Sequence, residues 1–268
     1  MEHNIGFIGC GSMAQAIIGG MLSSELVGPH QVMASANSEK TLQEVQSKFE
    51  IETNVDNRVV ASDSDILFIA VKPYKYQAVI HEVSQSVRDH TIVVTIAPGV
   101  SFEDMEKAFE REVKVVQAMP NTPSLVGAGM SAICPNKKVE DEELESVVRL
   151  FKSFGEVEVI TESQMDAIPS ISGSSPAYVY MMIEAMADGG VRQGLSREQS
   201  YRLASQAVLG AAKMVLESGL HPGELKDQVC SPGGATIAAV SQLEKEGFRG
   251  TVMSGMESCS EKVKGMGE

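Results

Sequence analysis

Residues 5–14 read Ile5-Gly6-Phe7-Ile8-Gly9-Cys10-Gly11-Ser12-Met13-Ala14: an apolar run, then G-x-G-x-x-A, then the start of a helical pattern. The spacing predicts a strand over 4–8 and a helix over 13–22. In that setting the first glycine makes a tight turn and the second lets the backbone approach a pyrophosphate. The small third residue seats the helix on the sheet, with the phosphate at the helix amino end. A glycine-rich turn without a ligand is the plain alternative. FAD proteins share the fingerprint, but 268 residues is short for a flavoprotein of that type.

Outward from this stretch, β-branched runs at 32–36, 66–71, 91–96 and 113–118 alternate with helical patterns such as 40–49. Continuous apolar strands separated by helices predict a parallel sheet covered on both faces. Weaker strand signals at 129–134 and 156–160 flank an acidic helical stretch at 139–154. After about 161 the strand signals stop. Helices are expected at 177–189, 197–218 and 236–245, separated by Gly189-Gly190, by Gly219-Leu220-His221-Pro222 and by Pro232-Gly233-Gly234. The fold class is therefore α/β: an N-terminal Rossmann-type dinucleotide-binding domain, 1–161, followed by an all-helical domain, 162–268. The helical part is rich in Ala, Gly, Ser and Met. Alone it would bury too little surface, so its helices are expected to pack on a second subunit, making a homodimer.

Composition narrows the function classes. The chain is longer than a single core usually supports. Twenty-two Lys and Arg against 36 Asp and Glu leave a net charge of −14, and no basic cluster interrupts it. Nucleic-acid and anionic-membrane partners are not expected. The apolar runs are too short to span a bilayer. Cys10, Cys134, Cys230 and Cys259 show no metal-ligand spacing, and no metal site is expected. The opening Met1-Glu2-His3-Asn4 lacks the basic region of a signal peptide, so a cytoplasmic protein with reduced thiols is expected.

The second strand ends Ala34-Ser35-Ala36-Asn37-Ser38, followed by Glu39 and Lys40. No carboxylate stands on the strand to hold a ribose 2′-hydroxyl, which favours NADP over NAD. Asn37 or Ser38 as an ordinary helix cap fits either cofactor. Three later strands end in Ala70-Val71-Lys72-Pro73, Ala97-Pro98-Gly99 and Met119-Pro120-Asn121-Thr122-Pro123. These are either the walls of a crevice or only turns, and Lys72 is either a phosphate ligand or a solvated loop lysine. Ser231-Pro232-Gly233-Gly234-Ala235-Thr236 precedes a helix. It is either a helix–helix connection or a nest of N–H groups for a carboxylate. The histidines are scattered and no nucleophile or paired-carboxylate motif stands out, so any chemistry leans on a cofactor and on positioning.

Taken together the motifs resemble the pyrroline-5-carboxylate reductase family along essentially the whole chain. They include I-G-F-I-G-C-G-S-M-A, A-V-K-P and M-P-N-T-P, then S-G-S-S-P-A-Y at 172–178 and H-P-G-E-L-K-D at 221–227. The most specific is S-P-G-G-A-T-I-A-A-V-S-Q-L-E at 231–244, followed by Gly247-Phe248. The resemblance implies reduction of 1-pyrroline-5-carboxylate to L-proline with NADPH, NADH being a second candidate donor. It also implies a helical dimerisation domain, with dimers that in many members assemble into decamers. By motif it assigns the pyrophosphate to Ile8, Gly9, Cys10, Gly11, Ser12 and Met13. The adenosine end goes to Ser35 and Asn57, and the nicotinamide half to Ala70, Val71, Lys72, Pro73, Ala97, Pro98 and Gly99. The substrate carboxylate falls to Ser231, Gly233, Gly234, Ala235 and Thr236, with Thr236 also acting near the ring nitrogen as the catalytic residue. Ser175 and Pro98 depart from the Gly and Ala that many members carry there. The competing readings are a hydroxy-acid dehydrogenase of related architecture, which usually needs a Lys or His acid in its helical part, and a dinucleotide-sensing regulator.

Overall fold

The computed structural model describes residues 3–265; Met1, Glu2 and 266–268, and with them the outer ends of both expected domains, lie outside the described residues. Two compact units divide the chain: one runs to Ser174 and resumes at Cys259, the other is Ser175–Ser258.

The first unit is built on eight strands: β1 (Ile5–Ile8), β2 (Val32–Ser35), β3 (Glu52–Asn54), β4 (Ile66–Ile69), β5 (Ile92–Thr95), β6 (Lys114–Met119), β7 (Gly129–Pro135) and β8 (Gly155–Val159). They form one sheet in the order β3-β2-β1-β4-β5-β6-β7-β8. Strand order reverses between β1 and β4, the place where open α/β sheets bind ligands outside their carboxyl ends. Seven helices serve this sheet: α1 (Ser12–Ser23), α2 (Glu39–Phe49), α3 (Asn57–Asp63), α4 (Tyr76–Val83), α5 (Phe102–Phe109), α6 (Asp141–Lys152) and the short α7 (Glu162–Met165).

All four residues of β4 are buried, Ile66 and Phe68 in one core cluster and Leu67 and Ile69 in another. Burial on both faces is why the central strands read as unbroken apolar runs. Phe7 stacks on Phe68 with ring centroids 4.6 Å apart, and Phe151 and Phe154 extend the row. At Gly20 a Cβ would stand 2.4 Å from the Cβ of Phe154, so only glycine lets α1 approach there.

Two details depart from the sequence expectation. β7 runs antiparallel to β6, although β8 is parallel to β7. The connection from Pro120 to Ala128 holds only the 3₁₀ turn Thr122–Val126. That is too short for the crossover a parallel return needs. β3 left no apolar signature because it is a three-residue edge strand, Glu-Thr-Asn, with no fully buried residue.

The second unit holds α8 (Ser175–Arg192), α9 (Arg197–Ser218), α10 (Pro222–Val229), α11 (Ala235–Lys245) and most of α12 (Phe248–Lys264). α10 and α12 had no counterpart in the sequence reading. Ser196 caps α9 by accepting from the Gln199 N–H, and His221 caps α10 by accepting from the Gly223 N–H. Within Ser175–Ser258 only Ala187, Ser200 and Ala204 are buried. Large apolar side chains stand exposed along α8 and α9, among them Met181 at 70% and Leu216 at 82%.

Candidate active site

The turn after β1 is shaped by two glycines for different reasons. Gly9 has φ +92°, and a Cβ there would lie 2.7 Å from the Ala70 carbonyl oxygen. Its N–H donates to the Ser35 carbonyl while the Ala70 N–H donates to Ile8, so the turn is stitched to the ends of β2 and β4. Gly11 is different. It sits at the N-cap of α1 with φ −73°, open to any residue, and a Cβ there would meet nothing within 4 Å. Neither backbone nor packing calls for a glycine at 11. What it preserves is open space at the amino end of α1, which no side chain caps. A cradle of this kind, at the positive end of a helix dipole, fits the pyrophosphate of a dinucleotide. Ser12 and Met13 follow in the first turn of α1, Ala14 is buried beneath them, and Gln15 donates its amide to the Cys10 carbonyl. Burial pushes the Cys10 thiol up to about 11, so it stays protonated at neutral pH and is not a nucleophile.

Ser35 is fully buried at the end of β2, and its hydroxyl donates to Asn57 Oδ1 at 2.7 Å. Asn57 Nδ2 in turn donates to Glu82. The structure thus brings Ser35 and Asn57 together, but the Ser35 side chain is spent inside the protein. Ser38 caps α2 by accepting from the Thr41 N–H, and Glu39 is exposed in the first helical turn. Glu39, the first carboxylate after β2 in the chain, therefore belongs to α2 and not to the strand.

Ala70 and Val71 are partly buried, Lys72 is exposed, and Pro73 opens a 3₁₀ turn into α4. Tyr76, at the start of α4, ties this rim together. Its phenol donates to the Ile69 carbonyl and accepts from the Thr95 hydroxyl at 2.8 Å, and Thr95 Oγ1 accepts from the Ala97 N–H. Burial raises the Tyr76 pKa, which keeps the phenol neutral. Gly99 has φ +74°, and Phe102, at the end of this loop, donates its N–H to Glu162 on α7. Ala97 and Gly99 border a cavity of about 390 Å³ shared with Gln117, Met119 and Glu162. A larger groove, about 760 Å³, lies between α4 and α5 and includes Pro73, Pro98 and Gly99. It sits beside the strand-order reversal, not on it. Asn121, in the Met119–Pro123 stretch, is buried and bridges the Met130 N–H to the Ser172 carbonyl.

In the second unit, Ser231-Pro232-Gly233-Gly234 leads into α11. Gly233 has φ +70°, and at Gly234 a Cβ would meet Ser231 Oγ at 2.3 Å. Gly233 is therefore called for by the backbone of the turn, whereas at Gly234, with φ −80°, the contact is with a hydroxyl that can rotate away. The pointer to a ligand is that Gly234 occupies the N-cap and no side chain caps α11. The N–H groups of Ala235 and Thr236 begin that helix, with Thr236 partly buried.

Sequence reasoning passed over Tyr76 and Gln117, and took Asn121 only as one residue of a strand-end motif. The available signal was a polar residue inside an apolar run, as in Val115-Val116-Gln117-Ala118-Met119, where alternation cannot excuse it because the strand is buried throughout that run.

The family model described as pyrroline-5-carboxylate reductase dimerisation matches residues 162–266, and one described as NADP oxidoreductase, coenzyme F420-dependent, matches 4–99. A pyrroline-5-carboxylate reductase of Escherichia coli is 47% identical over 262 residues, 98% of this chain and 97% of that protein. The chain belongs to the pyrroline-5-carboxylate reductase family. The enzyme of that name from Methanosarcina acetivorans is 40% identical over 100% of this chain and 99% of its own. Among solved structures, the Plasmodium falciparum pyrroline carboxylate reductase with NADP bound superposes with a TM-score of 0.91 at 34% identity, covering 100% of this chain and 99% of that one. An Aquifex aeolicus prephenate dehydrogenase, at 12% identity and TM-score 0.56, shares the fold alone. The chain is thus an oxidoreductase of the reductase family, with a Rossmann-type unit and a helical dimerisation region. No described helix is long and apolar enough to cross a membrane.

Proposed function

We propose that this chain reduces 1-pyrroline-5-carboxylate to L-proline, with NADPH as the donor. The observation that carries the reading is full-length identity of 47% to a reductase of that name. It spans the α1 cradle as well as the loop before α11. The open space at Gly11 and the uncapped α1 fit a pyrophosphate held by Ile8, Gly9, Cys10, Gly11, Ser12 and Met13. Ser35 and Asn57 shape the adenosine end through the backbone they fix. The 2′-phosphate falls beside Asn37, Ser38 and Lys40, with Glu39 carried off the strand on α2. Ala70, Val71, Lys72, Pro73, Ala97, Pro98 and Gly99 bound the nicotinamide half. When bound, the cofactor supplies a hydride to the imine carbon.

The protein's own contribution is positioning. The N–H groups of Ala235 and Thr236, at the head of α11, hold the substrate carboxylate, the turn Ser231, Gly233 and Gly234 aims them, and the Thr236 hydroxyl orients the ring nitrogen. A protonated cyclic imine is already electrophilic, so the amine product needs no strong protein acid. The minimal unit in this reading is a homodimer built by the helical region, with assembly to decamers open to it. In this reading the functional division is drawn at 161/162, and the match to the dimerisation family over 162–266 supports it. The workplace is the cytoplasm, in keeping with four free cysteines. The test is NADPH absorbance on addition of pyrroline-5-carboxylate. Oxidation with proline as product is expected, with kcat/KM higher for NADPH than for NADH. No oxidation would refute the activity, and NADH preference would refute the cofactor assignment.

A further inference from the structure

Across the carboxyl rim of the sheet one register row runs Ser35, Ile8, Ile69, Thr95, Gln117 and Cys134. Three of its members are buried polar residues, and each ties a strand end to another element. Ser35 holds Asn57 and Thr95 holds Tyr76. The third, Gln117, is 4% exposed and donates from Nε2 to the Val100 carbonyl at 2.7 Å. Its Oε1 is buried with no partner among the described residues. A buried amide with one end unsatisfied is a poor choice for stability, since an apolar side chain of the same length would fill the place without that cost. Stability therefore does not explain the residue. Its one directed interaction fixes the middle of the loop 97–101, whose start is held by Thr95 and whose end is held by Glu162.

We infer that Gln117 is a positioning residue, setting the height of the Ala97-Pro98-Gly99 segment against the nicotinamide ring through its bond to Val100. The inference rests on the assignment of that segment to the nicotinamide half. With the bond lost, the loop keeps its two ends but not its middle, and the ring is held less closely to its reacting geometry while the pyrophosphate and adenosine contacts are untouched.

Two variants test it. Gln117→Met keeps length and apolar packing and removes the donor. Its kcat should fall roughly tenfold to a hundredfold, the scale of a misplacement of about 1 Å. NADPH affinity by calorimetry should stay nearly unchanged, while the emission of bound NADPH moves toward that of the free cofactor. Gln117→Glu puts a buried carboxyl in the same place, with its pKa raised by desolvation. Protonated, it donates to Val100; ionised, it repels that carbonyl. Its kcat should therefore be restored on the acid side and fall with rising pH, adding an ionisation absent from the wild-type profile. Wild-type kcat and emission in Gln117→Met, or a wild-type pH profile in Gln117→Glu, overturns the inference. If the wild-type chain binds NADPH but does not turn over pyrroline-5-carboxylate, the functional reading fails, and the emission comparison alone decides the role of Gln117. If Gln117→Met does not fold, the pH profile of Gln117→Glu decides it.

Discussion

Between Ile5 and Phe154 the first unit buries Phe7, Phe68, Phe151 and Phe154 completely, along with nearly every residue of five strands. Ser175–Ser258, nearly a third of the chain, buries two alanines and a serine. Both regions have regular helices, some capped by a side chain and some not, so capping does not separate them. What separates them is whether an apolar face has a partner within the same unit. The sheet covers its own faces with helices; α8 and α9 leave Met181, Leu203, Leu209 and Leu216 to solvent. Helices with such faces gain most of their stability from packing, and here the packing must come from outside this unit.

The largest effect expected from this contrast is on assembly. Met181→Asp combined with Leu209→Asp should reduce the light-scattering mass to that of one chain and abolish turnover. Val159→Asp, also at an exposed apolar side chain but on β8, should leave mass and activity unchanged. A double variant that stays dimeric would break the comparison.

Next comes a contrast inside the first unit. Gly9→Ala must relieve contact with the Ala70 carbonyl at a positive φ, and should cost at least about 1–3 kcal/mol in urea unfolding. Gly11→Val meets nothing, so unfolding should shift only by the small loss of a glycine N-cap, while NADPH affinity collapses. Equal loss of stability in both would mean that Gly11 is held by packing after all.

Thr236→Ala sharpens the corresponding point in the second unit. Turnover with pyrroline-5-carboxylate should drop roughly tenfold to a hundredfold, the value of one hydrogen bond to a polar or charged group. NADPH binding by fluorescence titration should hardly move. Full activity, or an equal loss of cofactor binding, would remove Thr236 from its role.

The smallest effect concerns the cap of α5, beside the loop that Gln117 holds. Ser101 accepts from the Asp104 N–H, and Asp104 accepts from the Ser101 N–H and hydroxyl. The Ser101 bond is the leading reason the Asp104 carboxyl lies below its ordinary value. A carboxylate lowered on folding stabilises above the unfolded value, about 3.9, and loses that contribution as pH falls through the folded value. Ser101→Ala should cost about 1 kcal/mol at pH 7 by denaturant titration. The difference from wild type should shrink below about pH 4, and a difference that grows there would reverse the assigned sign.

Legibility in the sequence followed the range of the interaction. The fingerprint at Gly9 and Gly11 and the extent of α9 from Arg197 to Ser218 could be read because strand, turn and helix periodicity obey local rules. The opposite direction of β7 could not, since a single-strand pattern is the same whichever way its neighbour runs. α12 was passed over although Phe248, Val252, Met256, Cys259 and Val263 recur at helical spacing, because Gly250 and Gly255 interrupt the pattern with poor helix formers.

By itself the sequence determined the two grammars, the glycine turn after β1, the missing acid at the end of β2 and the family, because these depend on residue types at short spacings. Only the tertiary structure decided that Ser35 spends its hydroxyl on Asn57, that Tyr76 joins the ends of β4 and β5, and that Gln117 reaches Val100. Each of those bonds joins side chains to groups 7 to 22 residues away in the chain. Such pairs become neighbours only when parallel strands come into register, and nothing in either partner's local sequence encodes that meeting.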